Sequence, residues 1–149
     1  VLGEEYEHFL EGIFEIQGRD FVDAGIVSSQ IKKGLQNRGI PENVIRRVAV
    51  VTFEAEINII SYANQGTITY YILDDSIIIE ANDSGPGIQD IELALQEGYS
   101  TADDSIREMG FGAGMGLSNI KKSSDIFEIT SEPGSGTYLK SVIMLNEKN

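Results

Sequence analysis

The 149-residue chain has no cysteine, one histidine, three prolines, and only 11 lysines and arginines against 24 aspartates and glutamates. Without cysteine there is no disulfide framework and no thiolate metal centre. His8 has no second histidine, cysteine or aspartate at ligand spacing, which makes it a solvated side chain rather than a metal ligand. A formal net charge of −13 opposes phosphate backbones and anionic bilayers, so neither nucleic acid nor a membrane surface is an expected partner. No run reaches the roughly eighteen apolar residues of a membrane helix, and no secretory signal pattern opens the sequence. A cytoplasmic location is expected. Any polyanionic ligand would have to be held locally, by backbone N–H groups and a cation.

What is present suits one globular domain over residues 1–149, with 41% hydrophobic and 23% charged residues. Residues 6–17 are strand-like around Phe9, Ile13 and Phe14. Phe21, Ala24, Ile31 and Leu35 recur near helical spacing, which predicts a helix from about Asp20 to Arg38, with Gly39 as its C-terminal cap. Pro41 then opens a second helix, about 42–63. Val44, Val48, Val51, Ala55 and Ile59 fall on one side of it, and Val50, Phe53, Ile57 and Ile60 on another, so burial is expected all round. Residues 67–73 and 76–83 read as strands turned at Asp74-Asp75, and residues 127–131 and 137–145 as a second pair. A short helix at about 90–96, a polar loop over 98–112 and a helix ending near Ser124 lie between. This order predicts an α+β two-layer sandwich, a mixed, mainly antiparallel sheet with helices on one face.

Three features carry chemistry. Glu54 and Asn58 lie one turn apart on the apolar helix, pointing into the same space. An amide oxygen can ligate magnesium, and a carboxylate beside it can polarise a hydroxyl. The same Glu54 could instead be neutralised by Arg46 or Arg47, whereas Glu56 is expected on the surface or facing a partner. Asp83 ends a strand just before Gly85-Pro86-Gly87. A carboxylate there accepts from the amine of adenine and repels the carbonyl of guanine, and the glycines let a base approach the backbone. These residues equally suit an ordinary turn. Gly112, Gly114 and Gly116 precede a helix and could cradle phosphates with backbone N–H groups, or form a plain surface loop. No Gly-Lys-Ser/Thr follows them, so they are not a P-loop.

Taken together, Glu54-x-x-x-Asn58, Asp83-x-Gly85-x-Gly87 and Gly112-x-Gly114-x-Gly116 resemble the N, G1 and G2 boxes of the Bergerat-fold (GHKL) ATPases. Residues 98–111 correspond to the ATP lid, and Gly136-Thr137 to the late threonine of the adenine pocket. The small size, and the stretch from Ile91 to Thr101, are similar to the anti-sigma-factor serine/threonine kinases, in their switch-kinase branch. That resemblance implies Mg-ATP as cofactor and transfer of its γ-phosphate to a serine or threonine of a STAS-domain protein. A sigma factor or PP2C-type phosphatase is implied as a possible further partner, and a homodimer by analogy. It makes Glu54 the catalytic base, Asn58 the magnesium ligand and Asp83 the adenine reader. Nucleotide contacts are implied for Gly85, Gly87, Ile88, Thr101, Arg107, Gly112, Ala113, Gly114, Met115, Gly116, Leu117 and Thr137.

Two positions depart from the pattern: the lid is acidic and longer than a minimal one, and Tyr62 stands where many relatives carry histidine. Two other readings use the same residues. One is a partner-binding switch in which ATP orders the lid without turnover. The other is the catalytic domain of a histidine kinase, although these residues hold no dimerisation helix with a phosphoacceptor histidine.

Overall fold

The computed structural model describes residues 3–88, 90–96 and 116–145. Segments rich in β-branched and aromatic residues produce five strands: β1 (Leu10–Gln17), β2 (Gln65–Ile72), β3 (Ser76–Ser84), β4 (Ile126–Glu132) and β5 (Gly136–Met144). They form one sheet in the order β1-β2-β3-β5-β4. The helices are α1 (Ile26–Asn37), α2 (Glu42–Tyr62), α3 (Ile91–Ala94) and α4 (Gly116–Ser123), and a 3-10 segment, Gly3–Phe9, precedes β1. No described helix is long and apolar enough to cross a membrane.

The sheet was expected to be mixed, yet every strand pairing among the described residues is antiparallel. The helical connection from β3 leads to β4 at the edge, and the tight hairpin β4–β5 then inserts β5 between them. The parallel neighbours are thereby kept apart. Two hairpins and two α-helices resting on one face account for the layers.

The core lies between that face and helices α1 and α2. Ile31 and Leu35 of α1 are fully buried, and Val44, Ile45, Val48, Val51, Ala55, Ile59 and Ile60 of α2 are at most 1% exposed. They pack against Ile68 and Tyr70 of β2, Ile77 and Ile79 of β3, and Leu139 and Ile143 of β5. Each such side chain contributes about 1.5–3 kcal/mol of transfer free energy. Burial of α2 is not complete, because Val50 and Phe53 are 39% and 38% exposed on the side turned from the sheet.

Helix α1 starts at Ile26, six residues later than periodicity suggests. Gly25 takes a left-handed φ of 97° before it, and no local side chain caps the helix. The cap comes from α2. The carboxylate of Glu56 accepts from the backbone N–H of Gly25 (3.0 Å), Val27 (3.2 Å) and Ser28 (3.0 Å). This corrects the surface assignment of Glu56, which is 1% exposed. First-turn amides have no intrahelical acceptor, and a negative charge is favoured at that end. The glutamate thereby ties α1 to the helix that carries Glu54 and Asn58.

The other face of the sheet holds a second, smaller cluster of Tyr6, Tyr71, Ile78 and Val142. Glu80 collects three phenol groups there: Tyr71 donates at 2.9 Å, Tyr138 at 2.8 Å, and Tyr6 from the 3-10 segment also donates. Lys140 lies 5.0 Å above the Tyr6 ring. His8 is exposed beside Phe9, as expected of a solvated side chain. Burial, then the bond to Glu80, pushes the Tyr71 phenol from 10.0 up to about 12, and the same causes raise Tyr6 and Tyr138. Raised acid values in the folded state mean that unfolded tyrosines ionise first. Their stabilisation is therefore complete below pH 10 and falls as pH rises through about 12. Urea midpoints measured across that range should fall for the wild type and fall less steeply for Glu80→Gln; parallel curves would contradict this account.

Candidate nucleotide site

Glu54 and Asn58 lie half-buried on the exposed edge of α2, one turn apart. Helix α4 crosses beside them, and its first residue, Gly116, is the point of closest approach. A Cβ added at Gly116 would sit 3.2 Å from both Glu54 Oε1 and Asn58 Oδ1. The last glycine of the sequence cluster thus keeps the space above the carboxylate and the amide open. Asn119, one turn further along α4, donates from Nδ2 to Glu54 Oε2 at 3.2 Å. That bond fixes one carboxylate oxygen and leaves the other on the Gly116 side.

The alternative ion pair does not form. Arg47 donates from Nε to the Ser123 carbonyl at 3.0 Å and pairs with Asp125 at 3.1 Å, and Arg46 is exposed. Among the described residues no ion pair reaches Glu54. Asn58 makes no hydrogen bond to another described residue, so its amide oxygen is open to a hard cation.

Asp83 lies at the end of β3, on the helix-facing side of the sheet, paired with Thr137 of β5. Burial raises its carboxyl above the ordinary value, opposed by the Thr137 N–H that donates to Oδ1 at 3.2 Å. Ile59, the residue after Asn58, approaches the same strand. A Cβ on Gly66 would touch Asp83 Cβ and Ile59 Cδ1, both at 3.0 Å, and Asn64 N–H donates to Ser84 O at 2.9 Å. The end of α2 is thereby docked on the end of β3. A cavity of about 430 Å³ lies at this end of the sheet, lined among others by Asn82, Asp83, Ser131, Gly136, Thr137 and Tyr138.

A buried carboxylate without a ligand is a stability cost. A raised value means that the folded protein binds its proton more readily, so stability rises as pH falls below the raised value. Asp83→Asn is accordingly expected to raise the melting temperature of the ligand-free protein slightly at neutral pH, because an amide oxygen can still accept from Thr137. A fall in melting temperature would show that the charge stabilises the corner.

Gly85 and Gly87 have a packing reason beside the one expected. A Cβ at Gly85 would lie 2.9 Å from Ala63 Cα, and one at Gly87, where φ is 76°, would lie 2.3 Å from Glu132 O. Packing of the loop between α2 and the β4–β5 turn requires them, whether or not a base approaches. Ile88 is held by its backbone N–H, which donates to Ser131 Oγ at 2.7 Å. Leu117 packs on the main core. Thr101, Arg107, Gly112, Ala113, Gly114 and Met115 lie outside the described residues. The fold therefore brings together Glu54, Asn58 and Gly116 in one group, and Asp83, Ile88 and Thr137 in an adjoining one. Asn119 and Ser131 were not anticipated. The signal for Ser131 was available, since it lies directly across the hairpin from Thr137.

Residues 38–147 match the family model described as histidine kinase-, DNA gyrase B-, and HSP90-like ATPase. An anti-sigma F factor from Caldanaerobacter subterraneus subsp. tengcongensis is 35% identical over 64% of this chain and 67% of its own length. The serine/threonine-protein kinase RsbT of Bacillus subtilis is 32% identical over 64% of this chain and 69% of its own. In three dimensions, a chain of the SiaB-SiaC complex from Pseudomonas aeruginosa superposes with a TM-score of 0.62. That match covers 94% of this chain and 95% of the other at 17% identity, a likeness of fold. With Glu54 and Asn58 on α2 and Asp83 at the end of β3, the chain belongs to the histidine kinase-, DNA gyrase B- and HSP90-like ATPase family, among relatives that include anti-sigma F factors and a serine/threonine-protein kinase.

Proposed function

We propose that this protein is a cytoplasmic serine/threonine protein kinase of a partner-switching pathway. In this reading it binds ATP with magnesium and transfers the γ-phosphate to a serine or threonine of a STAS-domain protein. The observation that carries the reading is the junction of Glu54, Asn58 and Gly116: a carboxylate with one oxygen held by Asn119 and the other on the Gly116 side, beside an amide with no hydrogen bond among the described residues, under a glycine that leaves room for a phosphate chain.

In the mechanism, Asp83 accepts from the adenine amine and orients the base. Asn58 presents its amide oxygen toward the phosphates. Magnesium held there would supply positive charge that offsets the charge of the phosphates. Glu54, held by Asn119, orients the acceptor hydroxyl and takes its proton as the oxygen attacks the γ-phosphorus, while the bond from that phosphorus to the oxygen bridging it to the β-phosphate breaks and ADP leaves with the electron pair. The backbone N–H groups opening α4 face the phosphate side, where a helix N-terminus favours negative charge. Thr101 and Arg107, in the segment corresponding to the lid, are assigned to the phosphates by resemblance alone.

The anti-sigma F factors among the relatives favour a sigma factor as a second protein partner, held by contact rather than phosphorylated. The test is incubation with Mg-ATP and a STAS-domain protein encoded beside this one, read by phosphoprotein mass spectrometry. Stoichiometric phosphate on one serine or threonine supports the kinase. A complex that tightens with ATP yet yields no phosphoprotein would establish a binding switch instead.

A further inference from the structure

Ser131 Oγ makes three polar contacts at the corner where the β4–β5 hairpin meets the Gly85–Ile88 loop. The Ile88 N–H donates to it at 2.7 Å, the Gly136 carbonyl lies at 3.0 Å, and Thr137 Oγ1 lies at 2.8 Å. A serine hydroxyl has one proton and two lone pairs, which makes the directions solvable. The amide can only donate and the carbonyl can only accept, so the serine proton goes to Gly136 O. Thr137 must then donate into the remaining lone pair. The opposite arrangement, with Ser131 donating to Thr137, would turn lone pairs of Ser131 and Gly136 toward each other at 3.0 Å.

Thr137 therefore uses its only hydroxyl proton inside the protein and can face the cavity only as an acceptor. Beside it stands Asp83, whose Oδ1 already takes the Thr137 N–H. Both side chains at the corner offer oxygen lone pairs. Two acceptors side by side suit a purine amino group, directly or through a water that donates to Thr137, and both oppose a carbonyl at the same ring position.

We infer that Ser131 is a positioning residue that sets the hydrogen-bonding polarity of the base pocket, holding Thr137 as an acceptor and so selecting a 6-amino purine over a 6-oxo purine. This rests on the ATP reading above and adds to it the residue that fixes nucleotide choice. The same hydroxyl pins the Ile88 backbone, and the loop is held a second time where Gly134 N–H donates to Pro86 O at 2.7 Å. Loss of Ser131 should thus free the Thr137 proton without releasing the loop.

The experiment is calorimetric titration of the whole chain with magnesium and either ATP or inosine triphosphate, which differ at the 6-position in the way that matters. Ser131→Ala leaves Thr137 free to donate, so inosine triphosphate should gain affinity relative to ATP. The ratio of the two dissociation constants should narrow about tenfold, one good hydrogen bond's worth of discrimination. Ser131→Thr, which keeps the hydroxyl, should restore the ratio, and Ser131→Cys, isosteric with a weak donor, should fall between. A merely structural role would weaken both nucleotides alike and leave the ratio unmoved, and that result overturns the inference while the ATP reading stands. Failure of the folded wild type to bind either nucleotide overturns the ATP reading and the inference with it.

Discussion

Glu56→Ala is expected to destabilise the protein by about 3–5 kcal/mol, a large part of the roughly 5–15 kcal/mol that holds a domain of this kind folded. The reason is the number of donors that lose their acceptor. Two first-turn amides of α1 and the amide of Gly25 before it converge on one carboxylate that is 1% exposed. A buried donor left unsatisfied costs about 1–3 kcal/mol, and bonds to a charged acceptor are the stronger kind. Water entering the vacated space would recover part of that loss. Glu56→Gln keeps one acceptor oxygen and should lose about 1–2 kcal/mol. Urea unfolding of the three proteins measures the difference. A change below about 1 kcal/mol for the alanine variant would mean that α1 is held by its apolar face alone, through Ile31 and Leu35. Glu54, two residues earlier, gives the contrast: half-buried, with a hydrogen bond from Asn119, it should affect stability little.

Glu54→Gln should reduce phosphoryl transfer by about 10²–10⁴-fold while leaving ATP affinity within a few-fold of wild type. Glutamine keeps the length and shape of the side chain, and its carbonyl oxygen can still accept from Asn119. It cannot take a proton from an acceptor hydroxyl. A single-turnover assay with the STAS-domain protein, run beside nucleotide titration, separates the two effects. Wild-type transfer by the glutamine variant would remove Glu54 as the base and turn attention to another group on the acceptor side. Asn119→Ala, which only releases the carboxylate, should cost less than Glu54→Gln at neutral pH and leave affinity unchanged.

The parts of this arrangement legible in the sequence are those whose reasons are local. The Ile-, Thr- and Tyr-rich runs 67–73 and 76–83 turned at Asp74-Asp75, and the Glu132-to-Gly136 turn, give two hairpins whose register follows from the turns themselves. The apolar faces of α2 required a use for Glu54 and Asn58, and their shared face follows from helical geometry. The residues that were misread or missed act across the fold. Glu56 has the same sequence context as any solvent-facing glutamate, and its three partners are 28 to 31 positions away. The late start of α1 has the same origin, since the cap that defines it is supplied by another helix. Asn119 reaches Glu54 only because α4 packs beside α2, 65 positions on. Gly85 and Gly87 are expected from the sequence to let a base approach the backbone, and the close approach of Ala63 and Glu132 to them, which only the fold supplies, is a second reason for glycine there. Ser131 stands apart, because pairing the hairpin on paper would have set it opposite Thr137.

The central claim is a magnesium-dependent adenine nucleotide pocket between the end of α2 and the end of β3. Calorimetric titration of the folded protein with ATP and with GTP, each with and without magnesium, and repeated on Asp83→Asn, addresses it most directly. The account predicts binding of ATP that requires magnesium, no measurable binding of GTP, and loss of ATP binding in a variant that melts no lower than wild type. A well-folded protein that binds neither nucleotide, or an Asp83→Asn variant that binds ATP as tightly as the parent, would contradict it.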